Sequence, residues 1–315
     1  MSAGSGPFVE RLRGHAARAR RQAPGAAAEP SGSASGVQRG QLAFWQNPIA
    51  RAAINRRVTG DAQLAPETHF ARRHGPSVPA PLAVSMRASN AKLEIALLES
   101  GPCERVIGLH EDRERVDYAN GKVPEPLREQ ISFQQGEFSQ WEAPEPVGAV
   151  VARSVLHRHD DLDAVLDRIA SMLAPGGLVI VDEYVGPSLS QWTDAQLEII
   201  NGLLARLPDE LLVELTSDDG RLKRSVGRPD AERWAMANPH EMVCSERIVP
   251  GLDERFERVE VSLYGGAIIH QLFSRIMGNF ASRPELVEVL MELDALLTDG
   301  RVVASDYVWG VWRRA

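Results

Sequence analysis

The fold is decided by residues 147–187, which read VGAVVARSVLHRHDDLDAVLDRIASMLAPGGLVIVDEYVGP. The runs 149–155 and 178–182 are short and mostly apolar, which is typical of strands buried on both faces of a parallel sheet. Between them, residues 162–173 carry apolar side chains at helical spacing, and a turn follows at 174–177 (APGG). The stretch therefore predicts a strand, a crossover helix and a second parallel strand.

The same alternation of strands and helices begins earlier in the chain. Further strands are predicted at 81–86, 106–109, 131–135, 256–263 and 307–313, and further helices at 41–59, 90–99, 113–120, 191–207, 228–237, 267–280 and 283–299. The fold class that follows is α/β, with a Rossmann-like, seven-stranded and mostly parallel sheet whose last strand, 307–313, is antiparallel. We expect ligands at the carboxyl ends of the strands, where the strand order reverses.

Composition divides the chain into a tail and one domain. Residues 1–40 are rich in Ala, Gly, Ser and Arg and lack the apolar core of a secretory signal. An Arg-rich transit peptide is one interpretation, and a disordered tail, as in bacterial proteins from GC-rich genomes, is the favoured one. Residues 41–315 are predicted to form one domain, with 188–250 as a helical insertion.

Composition also excludes several classes of partner. The 315 residues are 43% hydrophobic and 25% charged, with a net charge of -8. This acidic balance argues against nucleic-acid binding, which rests on cationic contacts to phosphate. The sequence also contains no run of about 18 apolar residues, so no membrane span is predicted. Cys103 and Cys244 make no disulfide framework, and no His, Cys, Asp or Glu spacing suggests a metal. We therefore expect a cytoplasmic protein without nucleic-acid, membrane or metal partners.

Several separated motifs together resemble one enzyme family. They are Asn47-Pro48, NRRVTGD at 55–61, DEYVGP at 182–187, QWTD at 191–194, Tyr264-Gly265-Gly266, His270 and Asn279-Phe280. With the order of elements, they resemble class I S-adenosylmethionine (SAM)-dependent methyltransferases, and among these the bacterial small-molecule methyltransferases of the methyltransferase-11 type. The resemblance implies SAM as cofactor and a small molecule as substrate.

The loop that should bind SAM departs from the family pattern. Its three glycine positions, which let the backbone approach the cofactor, fall on Arg87, Ser89 and Ala91. The second strand is followed by His110, where the family has an acid for the ribose hydroxyls. The resemblance implies cofactor contacts at Ser89, Asn90, Ala91, His110, Glu137 and Arg153, of which Glu137 is the acid expected near adenine.

The resemblance also implies where chemistry occurs. His157 follows the fourth strand, where a histidine can act as general base on a substrate hydroxyl. Glu183 is the second catalytic candidate, because acidic side chains are rarely buried and one at the end of a buried strand indicates a functional role. The candidate substrate contacts are Tyr184, Gln191, Trp192, Tyr264 and His270.

Three hypotheses for the function follow from these residues. The chain is a small-molecule methyltransferase with an unusual cofactor loop, a non-catalytic relative serving as scaffold or partner of an active paralogue, or an enzyme of another class that uses the same cavity. A fold alone does not choose among them, because one fold hosts many functions. The altered loop predicts weak or absent SAM binding. The alternative is a divergent loop that still binds SAM through backbone N–H groups and the N-terminus of the following helix.

Overall fold

A computed structural model describes residues 43–87, 90–216 and 218–315. The predicted tail, 1–40, and the candidate cofactor residue Ser89 lie outside the described residues. Within the described part of the chain, no helix is both long and apolar enough to cross a membrane.

The strands form one seven-stranded sheet in the order β3-β2-β1-β4-β5-β7-β6. Their bounds, β1 to β7, are Leu82–Ser85, Arg105–His110, Ile131–Gln135, Val147–Arg153, Leu173–Tyr184, Glu257–Gly265 and Tyr307–Arg313. Strand β7 runs antiparallel to both of its neighbours, β5 and β6, whereas β1 to β5 pair in parallel. The predicted Rossmann-like sheet with an antiparallel last strand is confirmed.

The central parallel strands have side chains covered on both faces, as is usual in parallel sheets. All four residues of β1 are buried, and in β4 only the last residue, Arg153, is partly exposed. Strand β1 pairs with β2 on one side and with β4 on the other, so the order reverses at β1. In open α/β sheets this reversal creates a crevice outside the carboxyl ends of the strands.

The described residues form two compact units that contain the helices. The helices, α1 to α11, span Pro48–Thr59, Pro66–His74, Lys92–Ser100, Arg113–Lys122, Leu162–Met172, Asp194–Leu204, Asp209–Leu212, Ala231–Ala237, Ile248–Arg255, Ile269–Phe273 and Pro284–Asp299. The sheet unit consists of 52–186, 244–265 and 305–315, and the helical unit of 187–243 and 266–304 together with residues up to 51.

Two helical segments differ from the prediction. Helix α2 was not predicted. Its nine residues begin without a capping side chain and end in Arg72, Arg73 and His74, so the apolar pattern in its sequence is short and weak. The helix predicted at 267–280 is divided into α10 and a 3-10 segment at Met277–Ser282. Arg275, in the left-handed region with φ 67°, interrupts it.

Buried charges hold the ends of α10 in the helical unit. At its start, the Asp294 carboxylate accepts hydrogen bonds from the backbone of Gly266 (2.7 Å) and Ile268 (2.8 Å). At its end, Lys223 Nζ donates to the carbonyls of Gln271, Leu272 (3.3 Å) and Ser274 (2.8 Å). Each side chain satisfies backbone groups that the helix itself leaves unpaired.

Replacing Lys223 with methionine should therefore destabilise the helical unit. Burial, and next the charge of Arg275, lower the pKa of Lys223 to about 7, so the measurement belongs at pH 6, where the ammonium is charged. Three carbonyls would lose their donor, and we expect the free energy of unfolding to fall by about 2–4 kcal/mol. Denaturant unfolding measures this loss.

The matched control for that variant is Lys92→Met, because Lys92 is exposed at the start of α3. We expect its effect to stay within about 0.5 kcal/mol. Equal effects of the two substitutions would show that the carbonyl contacts of Lys223 contribute nothing to stability.

Candidate functional site

The carboxyl ends of the parallel strands place several candidate residues at one edge of the sheet. Strand β2 ends at His110, β4 at Arg153 and β5 at Tyr184. Arg87 follows the end of β1 by two residues. Because β1 lies between β2 and β4, Arg87 stands between His110 and the turn that follows Arg153.

The Arg87 side chain connects the ends of three strands. Its Nη1 donates a hydrogen bond to the carbonyl of Ser154, just after β4, at 3.0 Å. Its Nε lies 3.4 Å from His110 Nε2, at the end of β2. The residue in the first glycine position therefore extends over the crevice at the strand ends.

His110 is held as a neutral imidazole. Its Nδ1 accepts a hydrogen bond from the backbone N–H of Asp112 at 2.9 Å. Burial, and next the positive charge of Arg87, lower the pKa of His110 to about 4, and Arg115 and Arg158 act in the same direction. An uncharged ring at neutral pH cannot replace the carboxylate that the family pattern places at this strand end.

The two catalytic candidates, His157 and Glu183, form a buried pair. His157 Nδ1 lies 2.7 Å from Glu183 Oε2, and the two residues are 5% and 1% exposed. The other carboxylate oxygen, Oε1, accepts from the backbone N–H groups of Val155 and Leu156, the latter at 2.7 Å. With Nδ1–H donating to the carboxylate, the ring accepts protons at Nε2.

Arg153 belongs to a network of acids at the ends of β4 and β5. Its Nη2 lies 3.3 Å from both Glu67 Oε1 and Asp182 Oδ2, and its guanidinium lies 5.5 Å from the Trp309 ring. Tyr264 donates its hydroxyl to Asp182 Oδ1 at 3.1 Å. Burial raises the pKa of Asp182 to about 6, against the opposing charge of Arg153.

A buried acid beside this network was not found from the sequence. Glu94 on α3 is fully buried, and its Oε1 accepts from Ser85 Oγ at 2.8 Å. Its Oε2 and the Nη1 of Arg153 are buried atoms without a hydrogen-bond partner among the described residues. Its spacing could have indicated this burial, because Glu94 lies three residues after Ala91 and three before Leu97, on the buried face of α3.

The other described cofactor candidates differ in exposure. Ala91, in the third glycine position, has φ 60°, so the loop keeps a left-handed conformation there. Asn90 is exposed, and its Oδ1 accepts from the Lys92 backbone at 3.3 Å. Glu137 is exposed after β3, and its Oε2 accepts from the side chains of Ser139 (3.3 Å) and Gln140 (3.2 Å).

Two candidate substrate residues lie together in the sheet unit. The rings of Tyr184 and Tyr264 each have their centre 5.4 Å from that of Tyr307. Tyr184 is buried and Tyr264 is partly exposed. The three tyrosines therefore form one aromatic cluster next to the acids of β5.

The other substrate candidates lie in the helical unit. Gln191 donates its side-chain amide to the carbonyls of Leu189 (3.1 Å) and Pro229 (2.9 Å). Trp192 is buried, and its Nε1 has no hydrogen-bond partner among the described residues. His270 lies near Phe44, with 6.2 Å between ring centres, and burial lowers its pKa to about 4.

Comparison with known proteins identifies the class of domain. Residues 89–181 match the family model of the methyltransferase domain, type 11. No curated protein matches the chain. The predicted resemblance to SAM-dependent methyltransferases is therefore confirmed for this segment, and SAM is the cofactor that this class of domain implies.

Solved structures with similar folds include three methyltransferases. One is a SAM-dependent methyltransferase from Mesorhizobium loti, with 16% identity and a TM-score of 0.45, covering 78% of this chain and 95% of that one. Another is geranyl diphosphate methyltransferase in complex with SAM, with 13% identity, a TM-score of 0.48 and coverage of 89% and 100%. The third is the N-methyltransferase NodS from Bradyrhizobium japonicum in complex with S-adenosyl-L-homocysteine, with 12% identity, a TM-score of 0.43 and coverage of 88% and 94%.

The described residues at the ends of β1 and β2 differ from the family pattern for SAM. Arg87, in the first glycine position, contacts Ser154 and His110. His110 stands where that pattern has an acid for the ribose hydroxyls.

Replacing Glu183 with glutamine should destabilise the turn after β4. The amide is neutral, so it weakens the hydrogen bonds donated by the backbone N–H groups of Val155 and Leu156. Its NH₂ group would also face the Nδ1–H of His157, where the carboxylate oxygen now accepts. We expect the free energy of unfolding to fall by about 1–3 kcal/mol. Denaturant unfolding tests this, with exposed Glu99→Gln as control; unchanged stability would show that the carboxylate is not needed for the fold.

Proposed function

We propose that the chain is a methyltransferase-like protein that acts on a small molecule and whose SAM site is degenerate. The observation that carries this proposal is the position of Arg87, which extends from the end of β1 to Ser154 and His110. A glycine there would leave the crevice open to the cofactor. Cys103 and Cys244 are buried and not joined in a disulfide, which favours a cytoplasmic location.

The loss of the ribose-binding acid gives the expected size of the effect. A carboxylate that accepts two hydroxyl hydrogens makes charge-assisted bonds worth about 1.5–3 kcal/mol, or roughly tenfold to a hundredfold in affinity. The side chain of Arg87 adds a steric and an electrostatic penalty. Both effects lower the affinity for SAM and leave the sheet intact.

His157 is the proposed general base of the small-molecule site. Glu183 accepts from Nδ1, so in this tautomer Nε2 carries the lone pair that would take a proton from a substrate hydroxyl. Glu183 is thus a positioning residue. Tyr184 and Tyr264, with Gln191, Trp192 and His270, remain the proposed substrate contacts.

A non-catalytic relative is the second candidate, and Arg87 favours it as well. A chain that has filled its cofactor crevice could serve as scaffold or as partner of an active paralogue. The third hypothesis, a SAM-independent enzyme in the same cavity, would need His157 and Glu183 but no SAM. Weak but saturable SAM binding separates the first candidate from the other two, neither of which needs SAM.

Calorimetric titration with SAM tests the degenerate site. We expect wild-type protein to bind SAM more weakly than micromolar, and Arg87→Gly with His110→Asp to bind at least tenfold more tightly, because the crevice opens and a ribose acceptor returns. The control is Arg128→Gly with wild-type His110, since Arg128 is an exposed arginine after α4. Micromolar binding by the wild type would overturn the proposal, and no gain in the double variant would favour the non-catalytic candidate.

The role of His157 can be separated from its contribution to the fold. The amide nitrogen of asparagine takes the place of Nδ1, so His157→Asn keeps a donor for Glu183 but has no Nε2. We expect label transfer from saturating SAM to the small-molecule fraction of a cell extract to fall by about 10²-fold or more. Exposed His240→Asn is the control; unchanged transfer by a folded His157→Asn protein would exclude His157 as the base.

A further inference from the structure

We propose that the Arg-rich segment 8–21 of this chain binds the outer face of α11, which consists of Leu286, Val289, Leu293 and Leu296. The segment lies outside the described residues. Three properties of the described helical unit favour it as the occupant: the exposure of this face, the point at which the described chain begins, and the charge of α11. No residue of the small-molecule site takes part, so this binding is independent of the proposed function.

The first property is that α11 is apolar on two sides. Its buried side is formed by Val287, Leu290 and Met291. The outer face lies along a neighbouring side, because its four residues recur at spacings of three and four. Leu286 and Leu293 are partly exposed, and Val289 and Leu296 are each 62% exposed. Single exposed apolar residues are normal on a protein surface, whereas a row of them on one helix indicates a binding surface.

The second property is the point at which the described chain begins. Residue 43 is followed by the 3-10 turn Phe44–Gln46, which contacts α10, and α10 in turn contacts α11. Residues 22–42 therefore connect the segment to a point one helix away from its proposed site. At about 3.3 Å per residue, this connection can span on the order of 70 Å. Because it also raises the effective concentration of the segment, weak contacts are enough for binding.

The third property is the charge of α11. The helix contains no lysine or arginine, and its acids are Glu285, Glu288, Glu292, Asp294 and Asp299. The segment 8–21 has the opposite character, with one acid, Glu10, the apolar residues Phe8, Val9 and Leu12, and five arginines, Arg11, Arg13, Arg18, Arg20 and Arg21. A second copy of α11 would bring acids against acids, which is unfavourable at an interface. Charge therefore favours the segment over a second copy as the occupant.

Site-specific photo-crosslinking in the full-length protein tests the proposal. The photoreactive p-benzoylphenylalanine replaces Phe8, so an aromatic ring is kept, and crosslinked peptides of the purified protein are mapped by mass spectrometry. We expect crosslinks within one chain, from residue 8 to residues 284–302. Crosslinks that join two chains would identify a second copy as the occupant and overturn the proposal, and so would crosslinks spread evenly over the surface.

Variants of α11 connect these crosslinks to its outer face. Val289→Gln with Leu296→Gln should lower the yield at least about tenfold, because two apolar contacts are lost. Met236→Gln is the matched control, since Met236 is 68% exposed on α8 of the same unit. Denaturant midpoints equal to that of the wild type confirm that the variants are folded. Equal yields in the double variant and the control would exclude the outer face as the binding site.

Charge reversal tests the electrostatic part of the proposal. Glu288→Lys with Glu292→Lys should lower the yield, and adding Arg18→Glu with Arg20→Glu should restore most of it, because opposite charges then face each other again. Exposed Glu232→Lys on α8 is the control. Raising the salt concentration from about 0.01 M to about 1 M, which shortens the Debye length from about 30 Å to about 3 Å, should lower the wild-type yield. A yield that responds neither to charge reversal nor to salt would overturn the assignment of this segment.

Discussion

The site depends on the carboxylate of Glu183 at the end of β5. By accepting the N–H groups of Val155 and Leu156, it fixes the path of the chain just after β4. That path places the Ser154 carbonyl where Arg87 binds it and turns His157 toward the same carboxylate. A single buried charge, satisfied by three donors, thus positions both the altered cofactor crevice and the proposed base.

Two arginines at the strand ends have different recorded partners. Arg153 lies between Glu67 and Asp182, so its charge is offset within the protein. Arg87 donates to the Ser154 carbonyl and lies 3.4 Å from His110 Nε2. The first arginine connects β4 with α2 and β5, and the second connects the end of β1 with the ends of β2 and β4.

The strands of the sheet were predictable because each buried strand is a short, mostly apolar run that can be seen in the local sequence. Strand β3, for example, was predicted at 131–135 and is observed there. The sequence also indicated His157 and Glu183, but their contact depends on the pairing of β4 with β5, which local pattern does not encode. Glu94 was missed because a single acid on an apolar helix face resembles a solvated residue. The Arg87 bridge could not be predicted, since its partners lie 23 and 67 residues away in the chain.

The fold can retain its form while its ligand changes, because its stability lies elsewhere. The core strands bury their side chains on both faces. Ala91 keeps the left-handed backbone of a glycine position, at a cost of about 1 kcal/mol that the buried helix α3 can offset. Substitution of Arg87 and His110 is therefore expected to alter ligand binding with little effect on the sheet.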